Sequence, residues 1–338
     1  MQWEAHPEDA KEQGLPDDRT VATALAQAEQ APSIHNTQPW RWRVGDRSVH
    51  LDLDPSRALI ATDPDQRDLV ISCGAALHHL CVAFAALEWS AVVHRLPNPD
   101  DPAHLAAVEL VPHRSIPLDI ALASAISRRR SDRRRYSSWP IPAGYLGLVT
   151  ERAGALGATI KLVSDGSRDR LTDAIRKAAA WHAADPEYLS ELAIWTGRHG
   201  STEGVPARSA PQPRPGDELP ARAFAAASLA DPAYEPDHAE LLVVGTSGDD
   251  RLSRLRAGEA LSSVLLTATN VGLATCPLTE PLEIPKLRRD VRVGVLNNVA
   301  YPQVVIRIGW APTSDAPLPA TPRRSVDETV EPLQTPVS

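Results

Sequence analysis

The spacing of apolar residues along the chain predicts a mixture of helices and strands. Apolar positions recur every three to four residues, as on one face of a helix, in the ranges 18–30, 67–88, 116–127, 145–156, 168–182 and 250–271. Short alternating or continuous apolar runs predict strands at 106–112, 159–164, 241–246 and 304–310. A hairpin is predicted where the stretches WRWRV and RSVHLDLD flank Gly45 and Asp46. Elements mixed in this way indicate an α+β fold.

Proline interrupts the regular pattern in two places. Five prolines lie between positions 204 and 220, and proline lacks a backbone N–H and restricts φ. This stretch is therefore predicted to be a long surface segment without regular structure. The chain after Pro317 is predicted to be a proline-rich tail.

The two longest helical segments resemble each other. GAALHHLCVAFAALEW at 74–89 can be laid without gaps over GEALSSVLLTATNVGL at 258–273, and a strand follows each helix further along. Two helices rich in alanine and leucine can match by chance, but the shared downstream order favours an internal duplication. The predicted halves are residues 1–115 and 116–338, with a lid-like, proline-rich insertion at about 181–220 in the second.

Length and charge narrow the class of protein. The 338 residues suit two domains, and a net charge of −8 disfavours binding to nucleic acid or to an anionic membrane. The apolar stretch 70–89 contains His78, His79 and Glu88, which predicts a buried helix rather than a membrane span. The N-terminal residues are acidic and polar and show no export signal, so the cytoplasm is the expected location.

No metal site is predicted. The three cysteines do not show C-x-x-C spacing, which argues against a disulfide framework and against structural zinc. His78 and His79 are adjacent, and adjacent positions on a helix point in different directions. Neither set of side chains is therefore expected to hold a metal ion.

The loop APSIHNTQPW at 31–40 is a candidate binding element. Ser33, Asn36 and Gln38 lie between two prolines, after a predicted helix and before a predicted strand. Polar side chains on a stiffened loop can offer several hydrogen bonds to a planar polar ligand. A capped turn without a ligand is the alternative explanation.

The segment RRRSDRRRY at 128–136 is a second candidate, because it has six arginines in nine residues. The guanidinium group donates two parallel hydrogen bonds to phosphate and keeps its charge. A nucleic-acid patch and a solvated helix end are alternatives. The acidic chain around the segment argues against the first of these.

Both segments resemble motifs of the nitroreductase family, in particular its mycobacterial Acg-type members. APSIHNTQPW resembles the signature A-P-S-x-x-N-x-Q-P-W, and RRSDRRRY resembles the element R-R-S-x-R-x-F, with the aromatic Tyr136 one residue later than in the element. The resemblance implies a nitroreductase-like fold and an FMN cofactor. The residues that it places at the flavin are Pro32, Ser33 and Asn36 from the loop. Those that it places at the FMN phosphate and ribityl chain are Arg129, Arg130, Ser131 and Arg133.

Two further stretches match the family more loosely. In the family, the chain after the second long helix lies beside the flavin ring, and the matching residues in TCPLTEP are Pro277, Leu278 and Thr279. An arginine after the last strand approaches the phosphate, and the matching residues in TPRRSVDE are Arg323 and Arg324. Taken alone, each stretch would be interpreted as an ordinary loop.

The halves carry complementary pieces of such a site. The first half has the APSIHN loop, whereas the arginine-rich segment and the terminal arginines belong to the second half. We therefore expect a single-chain pseudo-dimer that acts as a monomer and holds one FMN site built by both halves.

The resemblance implies an oxidoreductase that transfers hydride from NAD(P)H through FMN to a nitroaromatic or quinone-like acceptor, without a catalytic side chain. The alternative is a protein that sequesters or stores FMN, since Trp181, Tyr188 or Trp195 of the insertion could cover the flavin. A relative that has lost the ligand and binds a partner protein is a third possibility.

Overall fold

The computed structural model describes residues 16–198, 200–214, 216–220, 222–231, 236–312 and 317–333. The N-terminal residues on which the export-signal prediction rests lie outside this part of the chain. The described helices are α1 (Asp18–Ala28), α2 (Arg67–Ala86), α3 (Pro117–Arg128), α4 (Ala143–Gly154), α5 (Asp165–Ala183), α6 (Pro186–Trp195), α7 (Arg251–Asn270), α8 (Glu280–Glu283) and α9 (Pro285–Gly294). The described strands are β1 (Trp40–Val44), β2 (Ser48–Leu53), β3 (Trp89–Arg95), β4 (His104–Pro112), β5 (Thr159–Leu162), β6 (Thr196–Arg198), β7 (Val205–Pro206), β8 (Glu240–Thr246), β9 (Ala274–Leu278), β10 (Tyr301–Gly309) and β11 (Val330–Pro332). The predicted α+β class is confirmed.

The two larger sheets share one plan. The first has the strand order β11-β1-β2-β4-β3 and the second the order β5-β8-β10-β9. In the first sheet, β2 precedes the long helix α2 and pairs antiparallel with β4, which pairs antiparallel with β3. In the second sheet, β8 precedes the long helix α7 and pairs antiparallel with β10, which pairs antiparallel with β9. A further antiparallel strand, β1 or β5, lies on the outer side. This shared order supports the predicted duplication, which remains a prediction.

The long helices α2 and α7 cross at two glycines that the sequence repeat aligns. A Cβ atom on Gly74 would lie 2.1 Å from the carbonyl oxygen of Leu255, and one on Gly258 would lie 2.0 Å from that of Ile71. The contact is reciprocal, because Leu255 occupies in α7 the place that Ile71 occupies in α2. Side chains at these positions would hold the helix backbones apart, so glycine is required for the crossing.

Helix α2 has the length and apolar composition of a membrane span, but most of it is buried within the fold. It packs against α1, α3 and α7 and supplies Leu69, Leu77 and Phe84 to the core of the first half. Its apolar character is therefore explained by tertiary burial, as the sequence predicted.

One prediction about a proline-rich segment was wrong, and a second proline-rich segment contains a strand that the sequence did not indicate. The stretch 204–220 contains the short strand β7, and Val205, Ala207 and Ala210 are buried. The tail after Pro317 contains β11, which pairs in parallel with β1 of the first sheet. Buried Glu29 helps to hold the tail there, because it accepts hydrogen bonds from two indole N–H groups and from the Thr329 hydroxyl. Such long-range contacts leave no periodic pattern in the sequence.

The expectation that His78 and His79 point apart was also wrong. Both Nδ1 atoms lie within hydrogen-bond distance of the Ser262 hydroxyl, at 2.7 and 2.8 Å. The His79 ring also contacts the carbonyl of Ala75 one turn earlier, at 3.0 Å, which turns it back along the helix toward α7. No group of three or more histidine, cysteine or acidic side chains suited to a metal ion occurs in the described ranges.

Candidate functional site

A cavity of about 440 Å³, called here the main cavity, is lined by residues from two stretches of the chain, 32–72 and 131–307. Its lining residues come from the loop after Pro32, from α2 and from the chain around β9 and α8. A further part of the lining, called here the proline-rich wall, includes Pro211, Gln212, Leu219 and Phe224. Cavities of this size typically enclose a small organic molecule.

A smaller space of about 50 Å³, called here the arginine recess, adjoins the main cavity. The two share Pro32, Ser33, Ser131 and Arg133 as lining residues. The recess is also lined by Asn36, Arg129, Arg130 and Arg323. The structure therefore brings the loop near the start of the chain together with the arginine-rich segment about a hundred positions later.

The four guanidinium groups of the recess contact backbone carbonyls rather than carboxylates. Arg130 donates to the carbonyls of Ser127 and Arg129, and Arg133 donates to that of Ser209. Arg129 and Arg323 both donate to the carbonyl of Gln30. Four of their buried N–H groups have no partner among the described residues: Nε and Nη1 of Arg129, and Nε of Arg130 and Arg323.

This concentration of positive charge is unfavourable in the protein alone. Burial and the neighbouring Arg323 lower the pKa of Arg129 to about 9, and burial lowers the pKa of Arg323 to about 10. Burial also lowers the pKa values of Arg130 and Arg133. An arginine resists deprotonation strongly, so the direction of these pKa shifts shows a surplus of buried positive charge that an anion would stabilise.

The loop that meets the recess is held by its own hydrogen bonds. Asn36 donates through Nδ2 to the carbonyls of Gly204 and Pro322, while its buried Oδ1 has no partner among the described residues. Ser33 accepts the backbone N–H of Gln38. His35, Asn36 and Gln38 all have positive φ angles between 46° and 56°, so the loop doubles back tightly.

The arginine-rich segment is attached to the chain that lines the main cavity. Ser131 forms an isolated bridge with Thr275, and the N–H of Asp132 donates to the Thr275 carbonyl over 2.9 Å. The adjoining residues Pro277, Leu278 and Thr279 line the main cavity, at the edge of the second sheet. The loosely matched stretch at 275–281 thus lies beside the segment with the specific motif.

Arg324 lines neither space, contrary to the expectation that it approaches the phosphate. Its backbone N–H and Nη1 donate to Gln38, and its Nη2 donates to the carbonyl of Glu328. Of these two adjacent arginines, Arg323 therefore lines the recess and Arg324 holds the loop at Gln38.

The predicted aromatic cover over the main cavity is also absent from the described lining residues. Trp181 is 63% exposed, and Tyr188 is buried with its ring stacked 3.9 Å from that of His182. Trp195 does not line the cavity either, and the aromatic residue that does is Phe224. Helices α5 and α6 place the three predicted aromatic residues outside the cavity. The helix propensity of the sequence does not show where these side chains lie relative to the cavity.

Sequence reasoning missed a group of charged residues at the main cavity. Arg222 pairs with Glu283 at 2.5 Å and lies 4.0 Å from Glu280, and Glu280 contacts His182 at 3.3 Å. Burial opposes the charge on Arg222, but Glu283 beside it keeps its pKa above the ordinary value. These residues are dispersed in the sequence and belong to no motif, so only the fold reveals them.

Asp68 of α2 is another missed lining residue. Its carboxylate oxygens are buried and have no hydrogen-bond partner in the described part of the chain. Burial raises the pKa of Asp68, and burial together with the charge of Asp68 raises the pKa of nearby Asp63 to about 8. Because these values lie above those of free carboxyls, stability from this pair is greatest at low pH and is lost as the pH rises toward 8.

The chain is similar over most of its length to proteins of Mycobacterium tuberculosis H37Rv. It is 51% identical over 320 residues to a protein with the provisional name NAD(P)H nitroreductase Rv3131, with 94% of this chain and 92% of that one covered. It is 38% identical over 315 residues to the provisionally named NAD(P)H nitroreductase Acg, with 91% and 94% covered. No profile of a protein family matches the chain. Identity at this level over nearly the whole length shows that the chain belongs to the nitroreductase family, among relatives that include Acg.

A solved nitroreductase structure overlaps with part of the fold. The FMN-dependent nitroreductase NfnB of Mycobacterium smegmatis, in complex with NADPH, has 17% sequence identity and a TM-score of 0.40. The overlap covers 63% of this chain and 98% of NfnB. The family assignment rests on the sequence relatives and not on this partial overlap.

Proposed function

We propose that the main cavity and the arginine recess together bind FMN. The observation that carries this proposal is the set of four buried or half-buried guanidinium groups that form no ion pair with a carboxylate in the described part of the chain. A phosphate monoester supplies what the recess lacks, namely negative charge and three acceptor oxygens. The adjoining main cavity has the size that a planar ring system requires.

The lining residues divide into two groups by position. The recess would hold the phosphate through Arg129, Arg130, Arg133 and Arg323. The shared residues Ser33 and Ser131 are placed to hydrogen-bond the ribityl chain between the two spaces. The ring would lie in the main cavity, beside Pro32, Pro277, Leu278 and Thr279. Asn36 supports the loop, which lines both spaces.

The reaction that this site supports is the reduction of a nitroaromatic or quinone-like acceptor, with NAD(P)H as the electron donor. Bound FMN supplies the hydride-transfer chemistry. The chain neutralises the phosphate, orients the ring and limits the access of water. The reaction requires no nucleophilic side chain, and the proposal assigns none.

We infer further that each chain builds one such site. The loop comes from the first half of the chain and the arginines come from the second, so neither half alone supplies both. The order that four strands of each sheet share and the reciprocal glycine contact support a fused pair of half-sites that needs no second copy.

Storage of FMN without turnover is a second candidate function. The proline-rich wall favours it, because this segment forms part of the lining of the main cavity and leaves less room for a second molecule.

An anaerobic titration of the purified protein distinguishes the two functions. The proposal predicts a yellow protein whose visible flavin bands are bleached by about one equivalent of NADPH or NADH and restored by a quinone. For a storage protein, dithionite would bleach the bands and the nicotinamides would not. A protein that carries no flavin after gentle purification and addition of FMN would contradict both candidates.

A further inference from the structure

His35 occupies a variable position of the loop motif, yet its side chain lines the main cavity. It is 7% exposed and has φ 46° and ψ 22°, a left-handed conformation that is uncommon outside glycine. Its ring meets Phe224 of the proline-rich wall edge to face, with 6.4 Å between centroids and an interplanar angle of 84°. Such unusual backbone in a loop that lines a cavity is a reason to look for a function of the side chain.

The partner of His35 determines which ring nitrogen carries the proton. Nη1 of Arg222 lies 3.1 Å from Nε2 of His35. A guanidinium group can only donate, so Nε2 must be the accepting nitrogen. The proton of the neutral imidazole therefore resides on Nδ1, which makes no hydrogen bond to the described residues.

The same partner keeps the imidazole neutral. Arg222 is itself fixed by Glu283 at 2.5 Å, so its N–H remains directed to His35. Burial lowers the pKa of His35 well below its ordinary value, and the charges of Arg222 and Arg133 act in the same direction. A neutral histidine with a defined tautomer can donate a hydrogen bond without giving up its proton.

We propose that the Nδ1–H of His35 binds a carbonyl or nitro oxygen of the electron acceptor in the main cavity. This inference rests on the proposed function, which supplies the electrons. Transfer of a hydride to a quinone delivers two electrons and one proton, and leaves one oxygen negatively charged until a proton from water completes the hydroquinone. A neutral donor aimed at that oxygen stabilises the developing charge.

The tautomer can be tested without flavin and without turnover. Long-range proton–nitrogen spectra of protein labelled with ¹⁵N-histidine distinguish a protonated Nδ1 from a protonated Nε2. The His35 signals are assigned by their loss in the variant His35→Gln. The proposal predicts an Nδ1–H imidazole that does not change between pH 6 and pH 8. A protonated Nε2 or an imidazolium would overturn it.

The role in acceptor binding can be tested with two variants of similar size. His35→Gln keeps an N–H donor and His35→Met removes it, and glutamine already adopts positive φ at Gln38 and Gln66 of this chain. With menadione as acceptor, His35→Met is expected to lower kcat/KM roughly thirtyfold and His35→Gln by less than about fivefold. With ferricyanide, a one-electron acceptor that needs no such contact, the rates of the two variants should differ from each other by less than about twofold.

The outcomes separate this inference from the proposed function. If menadione reduction by His35→Met matches that of the unchanged protein, the inference is wrong although the reductase function stands. If the flavin is absent or no quinone is reduced, the proposed function fails and the assignment of an acceptor to His35 fails with it. The spectra then still decide whether Nδ1 or Nε2 of His35 carries the proton.

Discussion

Replacing Arg130 with glutamate is expected to weaken FMN binding by about a hundredfold. A charge-assisted hydrogen bond contributes about 1.5–3 kcal/mol, and the new carboxylate would also repel the phosphate. Arg130 lines the arginine recess, and its Nε has no partner among the described residues. Equilibrium dialysis or fluorescence titration with FMN measures the change.

The flavin-free form of Arg130→Glu should unfold at the same temperature as the unchanged flavin-free protein, or at a higher one. The substitution relieves repulsion on Arg129, whose pKa is lowered by burial and by the surrounding arginines. The matched control is Arg176→Glu, on the exposed face of α5, which should leave FMN affinity within about twofold. Equal loss of affinity in both variants would show that the phosphate is not bound in the recess.

Replacing Gly258 with alanine is expected to destabilise the protein by about 3 kcal/mol or more. The new Cβ would lie 2.0 Å from the Ile71 carbonyl oxygen and 2.8 Å from the Gly74 Cα atom, both of which belong to the backbone of α2. This clash can be relieved only if helices α2 and α7 move apart. Overpacking of this kind is among the core substitutions that destabilise proteins most. Thermal and urea unfolding measure the loss.

Gly147→Ala on α4 is the control for this change. A Cβ atom there meets nothing within 4 Å, and alanine is a better helix former than glycine by about 1 kcal/mol. The control should therefore be neutral or stabilising. Gly74→Ala should resemble Gly258→Ala, and the double variant should lose less than the sum, because one separation of the helices relieves both clashes. A Gly258→Ala protein as stable as the control would refute the close helix crossing.

The elements with strong periodicity could be predicted from the sequence, and those held by distant partners could not. Helix α2 was expected at 67–88 and is found at Arg67–Ala86, because its burial imposes an almost continuous apolar pattern. Strand β9 was missed because it contains Pro277, which is tolerated there since β9 lies at a sheet edge. Strand β11 is only three residues long and depends on its pairing with β1.

The candidate site could likewise be predicted from the sequence only in part. The motifs in the loop and in the arginine-rich segment pointed to a recess that contains all but one of the arginines named for it. The exception is Arg324, since a sequence does not show which of two adjacent arginines faces a ligand. The contact between His35 and Arg222 joins residues that are 187 positions apart, and no local pattern predicts such a pair.

The most direct test of the shared site is the molar ratio of FMN to polypeptide in the saturated protein, from the visible spectrum and quantitative amino-acid analysis. We propose that each chain builds one site from the APSIHN loop and the arginine-rich segment. The expected ratio is therefore close to one. A ratio close to two, or no retained flavin at all, would contradict it.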